Sequence, residues 1–148
     1  MKQAEIEKLI KLQGQCGYND SNKREFRRLG TKLARALRAE LVPEGTAEVR
    51  FNAGGIAVSG DVILHCPTMY LRFNADGMGL GIMYRHCNGL KDCGAGVSTP
   101  NHWYRWEQLS REGVAGFVSV LRQFSQTKCK ADNMRCMGHE AIVFSTGD

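Results

Sequence analysis

Near Pro43 the apolar residues of this chain change their spacing from the period of a helix to that of a strand, and near residue 104 they change back. Helical spacing first, alternation in the middle and helical spacing last describe an α+β chain whose strands follow one another without intervening helices. Consecutive strands joined by short turns pair antiparallel. The predicted architecture is an antiparallel meander of four or five strands packed with two N-terminal helices and one C-terminal helix. With 148 residues, 43% hydrophobic and 24% charged, the chain has material for one core and is read as a single domain over 1–148.

Ile6, Leu9, Ile10 and Gln13 predict a short helix over 2–13 that Gly14 ends. A second helix is predicted over about 23–41, with Asn22 as cap, Glu25 closing a capping box and Pro43 stopping the run. The β-like runs are Ala47–Phe51, Ile56–Ser59, Asp61–Cys66, Met69–Asn74 and Gly79–Cys87, separated by turn sequences rich in Gly, Asn and Asp. Residues 88–102 read as irregular. Trp106, Leu109, Val114, Phe117, Val118, Leu121 and Phe124 predict a helix over about 104–125, broken near Ser110 or Gly113. Residues 126–140 read as loop and Ala141–Phe144 as a last short strand.

The start Met1-Lys2-Gln3-Ala4-Glu5 lacks the apolar stretch of a secretory signal, and no apolar run is long enough to span a bilayer. The six cysteines, at 16, 66, 87, 93, 129 and 136, are then expected to be reduced thiols of a cytoplasmic protein without a membrane partner.

The net charge of +5 is concentrated. Residues 1–44 hold ten Lys and Arg against six Asp and Glu, whereas 45–148 hold ten against nine. At 100° per residue, Arg24, Arg27, Arg28, Lys32, Arg35 and Arg38 of the second helix fall within an arc of about 140°, opposite Phe26, Leu29, Leu33, Ala36 and Leu37. Glu25 is the only acid near this face, so it lacks the i, i+4 acid–base pairing of an ordinary solvated helix. Five of the six cations are arginines, whose planar fork holds phosphate or carboxylate oxygens in pairs. These residues are expected to bind nucleic acid. The face carries no Asn or Gln to read base edges, so the expectation is phosphate contact without sequence specificity. An acidic protein partner is the alternative, and a homo-oligomer remains open.

Polar and aromatic residues are also dense from Tyr84 to Trp106. Arg85, His86, Lys91, His102, Trp103 and Arg105 form a second candidate binding surface, with Trp103, Tyr104 and Trp106 as a possible stacking platform for bases. The plain alternative is that these aromatics anchor the segment to the core. The run Tyr84-Arg85-His86-Cys87-Asn88-Gly89-Leu90-Lys91-Asp92, followed by Gly-rich residues and Asn101-His102-Trp103, resembles uncharacterised small proteins of bacterial plasmids and integrative elements. The resemblance implies a bacterial, mobile-element setting, either as a nucleic-acid binder or as an accessory or inhibitor of a host protein. It brings no catalytic residues with it.

Other motifs carry less. Asp76-Gly77-Met78-Gly79-Leu80-Gly81 has glycines of a phosphate loop, but a strand follows where a helix should open, so a hairpin is expected. Cys87, Cys93, Cys129, Cys136 and His139 are metal-ligand types without the paired spacing of a zinc site, and neither a metal nor another cofactor is expected. Cys93 with Asp92 and His102 has the residue types of a thiol enzyme, which leaves a cysteine-dependent enzyme as a second alternative to the non-enzymatic binding module favoured by the basic helix.

Overall fold

The computed structural model describes residues 1–14, 20–52, 60–74, 81–92 and 100–127. In chain order the elements are α1 (Gln3–Gln13), α2 (Asp20–Leu41), β1 (Glu48–Asn52), β2 (Asp61–His65), β3 (Met69–Asn74), β4 (Gly81–His86), β5 (His102–Arg105) and α3 (Trp106–Ser125). The five strands form one antiparallel sheet in the order β1-β2-β3-β4-β5, which is the chain order. The fold is thus α+β, with the meander and the helices distributed as their periods predicted.

Directly paired residues of antiparallel strands share a face, so the register sorts the sheet into two sides. Val49, Phe51, Val62, Leu64, Leu71, Phe73, Ile82, Tyr84, His102 and Tyr104 lie on one side. Most of them join Ile6, Leu9, Phe26, Leu29, Leu33, Leu37, Leu109, Phe117 and Leu121 in the main core. Burying one such Leu or Phe contributes about 1.5–3 kcal/mol. The opposite side carries Arg50, Ile63, Arg72, Met83 and Trp103 in one row and His65, Tyr70 and Arg85 in another. Ile63, Tyr70, Met83 and Cys87 form a second buried cluster there, with Trp103 packed against it.

The helices divide the sheet between them. Helix α2 packs on β1 and β2, α3 packs on β4 and β5, and α1 packs against both α2 and α3. At Gly30 a side chain would meet the Val62 Cγ2 methyl at 3.1 Å, so the absent Cβ is what lets α2 approach β2 so closely. The Gln3 side chain donates to the Ser110 carbonyl at 2.9 Å, and the Ser110 hydroxyl donates to Glu7 at 2.6 Å, clasping α1 to α3.

Two local expectations change, and the expected break in α3 is located. Helix α2 begins at Asp20, so Asn22 lies inside the helix and does not cap it. Asp20 supplies the negative charge that the positive end of the helix dipole favours, and Glu25 is drawn into ion pairs with Lys8 and Arg28. Residues 102–105 are a strand, β5, so α3 begins at Trp106 and not at Tyr104. The break in α3 falls at Gly113, whose φ of 67° and ψ of −168° are open essentially to glycine alone. The expected strands at 56–59 and 141–144, and the loop at 128–140, lie outside the described residues.

Candidate nucleic-acid interface

The apolar stripe of α2 (Phe26, Leu29, Gly30, Leu33, Ala34 and Leu37) is buried, which turns the basic arc outward. Arg24, Arg28, Lys32 and Arg35 are exposed, and Arg27 and Arg38 are half-buried. The structure therefore brings all six predicted residues onto one face, but it does not leave them equivalent. Lys32, on the α1 flank, pairs with Glu5. The Arg28 guanidinium donates to both oxygens of Glu25, at 2.7 and 2.9 Å. Lys8 shares the second of these oxygens at 2.7 Å.

These contacts mark the two acids electrostatically. Hydrogen bonds from Arg28 and then Lys8 lower the Glu25 carboxyl to about 2. The Lys32 ammonium, with the backbone N–H of Lys2, holds Glu5 below the ordinary carboxylate range. Glu5 belongs to another helix, so its neutralisation of Lys32 is a correction that no spacing within α2 could reveal. Arg24, Arg35 and Arg38 make no ion pair with any described residue. Among the described residues, the charge left without an ion pair therefore gathers along Arg24, Arg27, Arg35 and Arg38.

On the other flank, Arg24, Arg27, Arg28, Thr31 and Arg35 form one wall of a groove of about 360 Å³ whose opposite wall is β1, with Val49 and Phe51. Phe51 is 51% exposed, the only large hydrophobic side chain so exposed among the described residues. It is on the helix side of β1, the edge strand of the described sheet. The Arg27 guanidinium lies 4.4 Å from the Phe51 ring centroid, a cation–π contact. A second hollow at the start of α2 shares Arg24 and Arg27 with the groove and is lined also by Asp20, Lys23 and Asp61. Arg50 is held on the far face, where it donates to Glu48 and to His65 Nδ1, each at 2.9 Å. A guanidinium only donates, so His65 accepts at Nδ1 and carries its proton on Nε2, which faces the Gly89 and Asp92 carbonyls at 3.0 and 2.9 Å.

The second candidate surface is not brought together. Strand alternation sends Arg85 and Trp103 to one side of the sheet and His86 and His102 to the other. Arg85 is buried over the Tyr70 ring and donates to Asn101 at 3.1 Å. His86 stacks on Phe124 with centroids 3.8 Å apart, and burial lowers its imidazole to about 4. His102 is 2% exposed, stacked on Tyr84. Lys91 and Arg105 are exposed but belong to different segments. The aromatic platform fails for the same reason: Tyr104 is buried against Phe117 at 4.2 Å and Trp106 is also in the core. These aromatics anchor; they do not present a binding surface.

The Asp92 carboxylate accepts the Asn88 backbone N–H at 2.9 Å. Cys93, and with it Cys129, Cys136 and His139, lies outside the described residues. Among those described, no three His, Cys, Asp or Glu side chains cluster as metal ligands. The Cys87 thiol donates to the Cys66 carbonyl at 3.3 Å, and burial raises the Cys66 thiol to about 11. No helix among the described residues is long and apolar enough to cross a membrane.

Comparison of the chain with protein-family models, with curated proteins and with solved structures gives no match. The site is therefore read from its own geometry.

Proposed function

We propose that this protein is a non-enzymatic module that holds nucleic acid through the arginine face of α2, by its phosphates and without reading sequence. The observation that carries the reading is the set Arg24, Arg35 and Arg38, which make no ion pair among the described residues, beside Arg27 on one side of a packed helix. Clustered cations that outnumber the acids beside them keep a positive potential that reaches about 8 Å at physiological salt. Along the helix, Arg24 to Arg35 spans about 17 Å, the length of roughly five phosphates of a stacked strand. A bacterial mobile-element setting, implied by the Tyr84–Asp92 resemblance, suits such a role.

The test is anisotropy of a labelled random-sequence oligonucleotide against salt. Binding at 50 mM salt should fall steeply towards 200 mM, and changing Arg24, Arg28 and Arg35 together to Glu should abolish it while leaving the circular-dichroism melt intact. Absence of binding at low salt ends the proposal. Purification with a stoichiometric acidic protein and no nucleic acid would replace it with the protein-partner reading.

A further inference from the structure

The groove has an aromatic wall that phosphate binding alone does not use, and the geometry points to a single-stranded polynucleotide as its occupant, with one base stacked on Phe51 while its flanking phosphates run along Arg24, Arg28 and Arg35. This rests on the proposed nucleic-acid function and adds to it the strand state of the ligand and the residue that selects it.

Three observations converge. First, Phe51 is half exposed, although every other described Phe, Tyr and Trp side chain is at least half covered and most lie in the two cores. Second, its ring is held and not loose. The backbone of β1 is paired with β2 residue by residue, Phe51 opposite Val62, and the Arg27 guanidinium sits over the ring at 4.4 Å. A ring fixed on an edge strand offers its face to a planar partner at little cost in side-chain order, and the guanidinium extends the stack. Third, the ring and the arginines line the same groove, the strand on one side and the helix on the other. Charge complementarity limits the occupant to a polyanion, and the exposed ring favours one that carries planar bases. In a duplex the bases are paired and stacked inside, beyond reach of a side chain at groove depth, whereas a single strand exposes each base face. An apolar peptide would gain nothing from the arginines.

The consequence is selectivity by strand state. Base stacking on an aromatic side chain is sequence-tolerant, which agrees with the absence of base-reading Asn or Gln on α2. DNA and RNA share the chemistry required, and the two are compared directly in the test.

The experiment uses the full chain with a fluorescein-labelled 12-nucleotide dT strand, the matching rU strand, and a 12-base-pair duplex of mixed sequence. The expected result is tighter binding to either single strand than to the duplex, with Phe51→Ala weakening single-strand binding on the order of tenfold. Duplex binding and the salt slope should be unchanged, and Phe51→Trp should restore affinity. Phe51 is at the surface, so the Ala variant is expected to melt as the parent does. Equal weakening of strand and duplex would assign Phe51 to the support of Arg27 and overturn the inference. So would an unchanged Phe51→Ala, with the Arg24, Arg28 and Arg35 triple variant still defective; the proposed function would then stand without it. Self-association that Phe51→Ala abolishes, with oligonucleotide affinity untouched, would assign the ring to a contact between copies of the chain and overturn it as well. Loss of all binding in the parent protein defeats the proposed function itself.

Discussion

Arg28 gives two of its donors to Glu25, at 2.7 and 2.9 Å, and Lys8 donates to the second oxygen of the same carboxylate at 2.7 Å. One acid thus engages Arg28 of the α2 face together with Lys8 of α1. Exposed pairs of this kind add little to stability, so the carboxylate acts chiefly as a brake on charge. Glu25→Gln should leave the melt nearly unchanged and raise oligonucleotide affinity by roughly threefold at low salt, with a steeper dependence on salt. Reduced affinity in the anisotropy titration would mean that Glu25 positions Arg28 for binding.

Single charge reversals should separate the two flanks of α2. Arg35 has no acidic partner among the described residues, whereas Lys32 is already paired with Glu5. Arg35→Glu should therefore weaken binding several-fold more than Lys32→Glu. Equal losses in parallel titrations would show that the ligand displaces Glu5 from Lys32.

Acid should weaken the fold through His86. Burial depresses its folded-state value to about 4 against an ordinary value of 6.5, opposed by a hydrogen bond to the backbone of Thr68. A depressed base takes its proton more readily when unfolded, so its contribution is whole above pH 6.5 and is lost as pH falls from there towards 4. The full shift corresponds to about 3 kcal/mol, and the half-buried ring reduces this to about 1–2 kcal/mol. Melting temperatures of the parent should fall across that window more steeply than those of His86→Phe, which keeps the stack on Phe124. Parallel curves would remove His86 as the cause.

Gly113→Ala tests the break in α3. A Cβ at this position meets nothing within 4 Å, so the entire cost is conformational and comes from the φ of 67°. Urea denaturation should show a loss of about 1–3 kcal/mol, with oligonucleotide binding unaltered. A gain in stability would mean that α3 straightens without penalty.

The elements with a long period were legible in the sequence, and so was the basic arc, because both depend on spacing within one element. Strand β5 was not: four residues, His102 to Arg105, are too few to establish alternation, and their aromatic content reads equally well as the entrance to a helix. The same brevity made His102, Trp103 and Tyr104 look like one surface, when their alternation places them on opposite sides of the sheet. Phe51 was missed because it follows the alternation of its strand, and its exposure goes with the edge position of β1 in the described sheet. The pairing of Lys32 with Glu5 joins two helices, a relation that no spacing within either contains. A signal for it was present in the acids of the first helix, but only the packing angle gives that signal a partner.

The agreement between strand order and chain order also governs how the molecule is assembled in time. Its strands are joined by connections of 3 to 15 residues, whereas the clasp between Gln3 and Ser110 closes a loop of 107. Loop-closure entropy makes the latter costlier by about 2 kcal/mol than an eight-residue hairpin. The meander can thus form from quick local encounters, and docking of α1 falls late. Substituting Ala for Gln3 should then quicken unfolding in a chevron experiment and leave the refolding arm almost where it was. That outcome would make α1 a latch on a sheet already built.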